Sequence, residues 1–507
     1  MAFGSWLRTA LVLSCPLVAA APALAGAPSV GFDRAAIFSA ARALPPRGGL
    51  RIVAVPWAGD GRSRSETLAL ERFEVFAPTA RIVVHTATGD EFLPAPANVY
   101  LRGRIEGEAG SRVVLSVLAT GEIRGLATAT GRTWLFGSAG EDPRLLVREV
   151  QTASELVEAG GEFRCALDDL GPAAFRAGSA AEEDPFAALL GGSATPGSKS
   201  GGAEVSGEGG TFDHTAVIAI ETDQEFLALG PIAGNTTTAT NYIADLVAFA
   251  SSIYSDELQT SWVVGDVSLW TVADPWAQTN PACGLIDFGR YWNNNNGGVT
   301  RTVTHFLSGK STNSGIAWIG VLCSGAFSID AAQVATGCSP ALTGVSNWGG
   351  AYGYTSGIDA NFDLNSPSVV WDIMAFTHEI GHNFNSPHTH CYQGLGGNAA
   401  SVDNCYAGQC GQSGCYCGAT SLPGGTGTGS GTIMSYCHLL SGGFGNTSLT
   451  LGLDHPFGVM PERVPSRMRS HVVSVAAGNP SCLAPIGIVF IDGFGSGNTG
   501  AWSATVP

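Results

Sequence analysis

Lysine is almost missing from this 507-residue chain. Only Lys199 and Lys310 join the arginines among its 25 cations, against 42 Asp and Glu, a formal net charge of −17. No basic run occurs, so the electrostatic footprint of a nucleic-acid binder is absent. Charged residues make up 13%, about half the usual share of roughly 25%. A solvated, charge-rich disordered chain is therefore excluded, the more so because 45% of residues are hydrophobic. Beyond the N-terminus no stretch reaches the roughly 18 consecutive apolar residues of a spanning helix. What is plentiful is glycine, 69 residues, which predicts many turns and loops.

The first 25 residues read as an export signal. Leu11 to Ala21 is apolar and short, and Ala23-Leu24-Ala25 offers small-x-small cleavage before Gly26. The mature protein is then expected outside the cytoplasm, secreted, and the source looks bacterial. The 12 cysteines agree. Cys15 leaves with the signal, and ten of the other eleven lie between Cys283 and Cys482. An even cluster in an exported chain implies up to five disulfides of unknown pairing. Cys165 is the odd one.

Residues 26–170 alternate in short runs, such as Arg112-Val113-Val114-Leu115-Ser116-Val117, and predict a β-rich domain. Residues 171–210 lose all periodicity and read as a flexible, protease-accessible linker. Residues 211–484 mix patterns. Val217 to Ile220, Ser261 to Thr271 and Gly315 to Cys323 predict strands. Thr240 to Tyr254 and Val369 to Phe384 have helical spacing. That order predicts an α/β (α+β) domain with a mixed, partly parallel twisted sheet. The segment after Cys391 is expected to be irregular and disulfide-held. The tail, residues 485–507, has no core of its own.

The chemistry concentrates in Thr377-His378-Glu379-Ile380-Gly381-His382-Asn383-Phe384-Asn385-Ser386-Pro387-His388. Four residues apart on a helix, His378 and His382 share one face and can grip one ion. Glu379 is placed to take a proton from an attacking water. Asn385 tolerates the left-handed conformation that ends a helix, and Pro387 prevents its resumption. The chain can then swing His388 back as a third ligand. Three imidazoles with an open fourth position describe a catalytic zinc site, one Zn2+, rather than a closed structural one. His390 is the one credible competitor to His388, and its spacing is wrong. No D-x-[DN]-x-[DN]-G loop is present, so structural Ca2+ is not assigned.

This stretch resembles the metzincin zinc peptidase motif H-E-x-x-H-x-x-G-x-x-H. Gly431-Thr432-Ile433-Met434-Ser435-Tyr436 matches the family's methionine turn, and the closest likeness is to the adamalysin (reprolysin) branch. Tyr100 to Gly107, Ser111 to Ser116 and Gly121 to Leu126 resemble an adamalysin prodomain. The resemblance implies a metzincin catalytic domain with His378, His382 and His388 on the metal and Glu379 as general base. It places Met434 beneath the zinc as a packing floor. It makes Tyr436 either a transition-state stabiliser or ordinary packing. It makes Cys165 either a zymogen cysteine switch, with the prodomain as the chain's own inhibitor, or a buried thiol or intermolecular bridge. By the same likeness an extended peptide would pair with a sheet edge, expected at Trp348 to Ile358. Two positions depart from the pattern: Asn385 stands where the family has Gly, and Thr389 where adamalysins usually have Asp.

The expected function is a secreted zinc endopeptidase acting on proteins or peptides, with no nucleic acid and no membrane span. The alternatives are a non-catalytic binding or adhesion protein on the same fold, and a zinc hydrolase of non-peptide amides. Retention of Glu379 beside three histidines argues against the first. The prodomain likeness argues against the second.

Overall fold

In the computed structural model the described residues are 27–59, 62–137, 144–150, 164–166, 214–312, 314–331, 337–364 and 367–485. The expected signal and linker, and the expected tail after Pro485, lie outside them. The fold is mixed α/β with a β-rich N-terminal region, as the sequence pattern implies.

Ten strands come from the N-terminal region: β1 (Ser29–Gly31), β2 (Gly49–Gly59), β3 (Arg62–Phe73), β4 (Ile82–Thr86), β5 (Gly89–Leu93), β6 (Val99–Ile105), β7 (Arg112–Val117), β8 (Ile123–Ala129), β9 (Arg132–Gly137) and β10 (Leu146–Glu149). Eight of them form one sheet in the order β1-β2-β3-β6-β7-β8-β9-β10, antiparallel apart from β1 on β2. Alternate side chains of a strand face opposite ways, and here both faces are covered. Val113, Leu115 and Val117 pack with Trp57 and Phe136, under helix α1 (Arg34–Ala43). Val114, Leu126 and Leu135 join the core of the rest of the chain.

Arg164–Cys165 forms the short strand β11, and the second region supplies β12 (His214–Thr222), β13 (Thr260–Trp270), β14 (Val303–Ser308), β15 (Ser314–Ala317), β16 (Phe327–Asp330), β17 (Val345–Gly349), β18 (Tyr352–Ser356) and β19 (Leu483–Pro485). A nine-stranded sheet runs β11-β15-β18-β14-β12-β13-β4-β5, with β19 also on β12. Its centre, β18, β14, β12 and β13, is parallel, while β15 runs antiparallel to β18. The hairpin β4–β5 reaches out of the N-terminal region and pairs β4 parallel with β13.

Helix α2 (Gln224–Ala228) is capped by Asp223, and α3 (Thr236–Leu258) by Asn235. Gln259 closes α3 in a left-handed conformation. Nearly every residue of α3 is buried, because the second sheet covers one side and the N-terminal sheet the other. Helix α4 (Pro281–Asn295) starts on Pro281, whose fixed φ suits a first helical position. Helices α5 (Val369–Asn383) and α6 (Arg463–Gly478) follow. Among the described residues no helix is long and apolar enough to cross a membrane.

The expected substrate-pairing edge needs correction. The strand within Trp348 to Ile358 is β18, and it lies inside the sheet between β14 and β15. Its glycine at 353 fits there because a side chain would strike His305. The second region's own edge is β15, and Gly315 to Cys323 holds a strand only as far as Ala317.

Candidate metal centre

Helix α5 carries the decisive residues in a buried site. It is anchored first to α3. Asp372 accepts the Tyr242 hydroxyl and the backbone N–H groups of Asp359 and Ala360, and Tyr254 donates its hydroxyl to the Thr377 carbonyl at 2.9 Å. Every residue of α5 is buried. Phe384 caps the helix, and Asn385 follows with φ of 75°, the left-handed turn expected of it. Arg467 of α6 holds that turn by donating to the Asn385 carbonyl at 2.7 Å.

The turn brings His388 back to the helix. His378, His382, His388 and Cys165 each offer one donor atom, and the four atoms lie within 4.8 Å of one another. Each imidazole has its Nδ1 on an oxygen acceptor: His378 on the Ile433 carbonyl (2.7 Å), His382 on the Ser386 carbonyl (2.7 Å), His388 on Gln409 Oε1 (2.9 Å). Those acceptors hold the proton on Nδ1 and leave Nε2 with a lone pair. The Nε2 atoms of His378 and His382 then face each other at 3.2 Å, lone pair to lone pair. His388 Nε2 is buried with no hydrogen-bond partner.

Such an arrangement is repulsive alone and satisfied by a cation. Tetrahedral zinc, with bonds of about 2.1 Å to nitrogen and about 2.3 Å to sulfur, sets N···N near 3.4 Å and N···S near 3.6 Å. The Cys165 Sγ to His382 Nε2 distance is 3.6 Å. The residues fit the ion. Burial is the main reason that all three imidazoles have a pKa well below the ordinary 6.5, which keeps them neutral as ligands must be.

Glu379 lies beside the cluster, with Cys165 Sγ 3.4 Å from its Oε2. Cys165 is buried, is the one cysteine outside a disulfide among the described residues, and reaches the site on β11, which pairs parallel with β15 in the register Cys165 to Gly315. The other ten cysteines pair as 283–338, 323–482, 391–415, 405–437 and 410–417. Met434 lies under the helix: a side chain on Gly381 would overlap its sulfur. The Tyr436 ring is 4.4 Å from that of His388, and its hydroxyl donates to the Cys165 carbonyl at 3.0 Å. Thr389 ties the third histidine to the methionine turn, its N–H donating to the Met434 carbonyl at 3.0 Å. His390 is outside the cluster and points to Gln409 instead.

Two residues at the centre were not singled out from sequence. Gly315 of β15 touches Glu379, and Gln409 touches His388. Neither has a local signal, since both act across long chain separations. A cavity of about 560 Å³, lined by Arg132, Glu149, Trp371, Met374 and Phe444 among others, sits where the N-terminal sheet meets α5. It contains none of the metal-site residues.

Residues 213–439 match the family model Reprolysin_5, metallo-peptidase family M12. Members of that family use zinc. No curated protein matches the chain. A solved structure, the crystal structure of metalloproteinase-II from Bacteroides fragilis, aligns over 72% of this chain and 90% of that one, at 10% identity and a TM-score of 0.31.

Proposed function

We propose, from the match of residues 213–439 to the model of metallo-peptidase family M12, that the chain is a secreted zinc endopeptidase made as a zymogen. One observation carries the reading. Three imidazole Nε2 atoms converge at the end of one helix with a carboxylate, Glu379, beside them. His378, His382 and His388 would hold the ion, which supplies Lewis acidity to water and to a scissile carbonyl. Glu379 takes the proton of the attacking water and later hands it to the leaving amine. Met434 is the floor beneath the histidines. The Tyr436 hydroxyl, now on the Cys165 carbonyl, becomes free to donate to a developing oxyanion once Cys165 withdraws.

In this reading residues 1–25 are removed on export, and residues 26–170 are the inhibitory prodomain. Residues 171–210 hold the maturation cut, residues 211–484 are the catalytic domain, and residues 485–507 are an added tail. Cys165 occupies the coordination position and β11 occupies the edge of β15, so thiol and strand together exclude substrate. Withdrawal of β11 frees that edge for an extended peptide. Five disulfides suit an oxidising compartment.

The test is cleavage of casein by the full chain and its variants. Glu379→Gln should lower turnover of the matured protein about 10²–10⁴-fold while zinc stays at one per chain. Cys165→Ala should raise the activity of the uncut chain. Equal activity of Glu379→Gln and the natural protein would overturn the mechanism. An inert matured protein that still binds zinc would favour a binding role.

A further inference from the structure

The third histidine is held differently from the other two. His378 and His382 donate to backbone carbonyls, whereas His388 donates to a side chain, Gln409 Oε1. The same oxygen receives a second imidazole, His390 Nε2, at 2.6 Å. The two rings stack at 5.3 Å with 14° between their planes. A carbonyl oxygen has two lone pairs, so both donors are accommodated. The amide nitrogen is directed the other way, 3.4 Å from Gln412 Oε1, which fixes the orientation of the amide. Gln409 is nine-tenths buried or more, and so are both histidines.

We infer that Gln409 is a positioning residue for the metal centre, setting the tautomer and angle of His388, with His390 as the anchor that holds the Gln409 carbonyl in place. The inference rests on the metal-site reading above. Partners that hold a ligating histidine by its other nitrogen are commonly carboxylates or carbonyls, and their loss typically weakens metal binding tenfold to a hundredfold. Gln409 offers a neutral acceptor, which orients the imidazole without adding charge to the site. It also explains the burial of His390, which lies too far round the turn to ligate. The helix fixes two of the three ligands by its own geometry. The third lies past the end of the helix and depends on this contact. Gln409 itself sits in a loop held by the Cys391–Cys415, Cys405–Cys437 and Cys410–Cys417 bridges.

The test measures zinc affinity of the full chain by competition with a chromophoric chelator, alongside the visible spectrum of the cobalt-loaded protein. Gln409→Leu keeps the shape and removes the acceptor. It should bind zinc about tenfold to a hundredfold more weakly and shift the cobalt bands. Gln409→Glu restores an acceptor and should bind within a few-fold of the natural chain. Leu and natural chains of equal affinity and spectrum would overturn the inference, as would equal weakening by Leu and Glu. His378→Ala and His382→Ala test the underlying reading separately. They should abolish stoichiometric zinc, and a natural chain that takes up none would overturn both proposals.

Discussion

At Gly315 the absence of a side chain leaves room for the Glu379 carboxylate. A Cβ built there would overlap the Glu379 carboxylate and its Cγ. The overlap reaches the Glu379 stem as well as its tip, so a rotation of the end alone does not relieve it. Gly315→Ala should therefore push the carboxylate aside while leaving the three imidazoles where they are. A displacement of about 1 Å can cost roughly 10²-fold in rate. The expected outcome is a fall of that order in casein cleavage with zinc content unchanged. Destabilisation should stay within the ~1–3 kcal/mol of a modest overpacking, read from urea unfolding. Unchanged turnover would mean that Glu379 has room to stay in place. Gly381 is constrained in the same way by Met434 beneath it. Gly315 leaves room for the acid, and Gly381 lets the helix approach Met434.

Among the elements, helix α5 was the most legible, and the reason is physical. Its apolar spacing, its histidines four apart and the Asn385–Pro387 stop are all local, and the observed span ends within one residue of the expected one. The edge strand was not legible. Which of several short Gly-containing runs lies outermost is decided by pairing partners far along the chain, and β18 gains two neighbours where β15 has one from its own region. The place of the β4–β5 hairpin in the second sheet depends on β13, some 180 residues away. Gln409 was invisible because irregular backbone stapled by disulfides carries no period. Buried ties between elements were equally silent. Glu221 on β12 accepts the indole N–H of Trp270 on β13 (2.8 Å) and of Trp292 on α4 (2.9 Å). Burial is the main cause that raises its pKa from 4.5 to about 8, against the two indoles, which lower it. The folded state thus holds this proton where the unfolded chain releases it. The resulting stabilisation is whole below about pH 4.5 and declines as pH climbs to about 8. Glu221→Gln should flatten the fall in unfolding midpoint between pH 5 and 8. An unaltered slope would place the titration elsewhere.

For the whole molecule, the question is what joins the N-terminal sheet to the rest beyond the short β11 contact at the metal centre. Helix α3 is buried between the two sheets, and two carboxylates at that interface find their arginines in the N-terminal region. Arg124 on β8 lies 3.2 Å from Asp245, and Arg112 on β7 lies 3.3 Å from Glu257. Glu257 has other support, since its Oε2 accepts the N–H groups of Leu451, Gly452 and Leu453. Asp245 depends more on its arginine. Burial, the larger effect, pushes its pKa up to about 6, and Arg124 pulls it down. At pH 8 the carboxylate is therefore charged in a buried site, its side chain 1% exposed, with Arg124 as its ion-pair partner among the described residues. Arg124→Met removes that partner and should cost about 3–5 kcal/mol, the usual loss when one member of a buried pair is deleted. The double variant Arg124→Met/Asp245→Asn removes the stranded charge and should recover most of the loss. The pH dependence separates this account from lost packing. A raised folded pKa makes the neutral acid the favoured form, so at pH 5 Asp245 is largely protonated and needs no cation. The penalty of Arg124→Met should then be smaller at pH 5 than at pH 8. An equal penalty at both values, measured by urea unfolding of the full chain, would show that Arg124 acts through its packing on Phe362 and not through its charge.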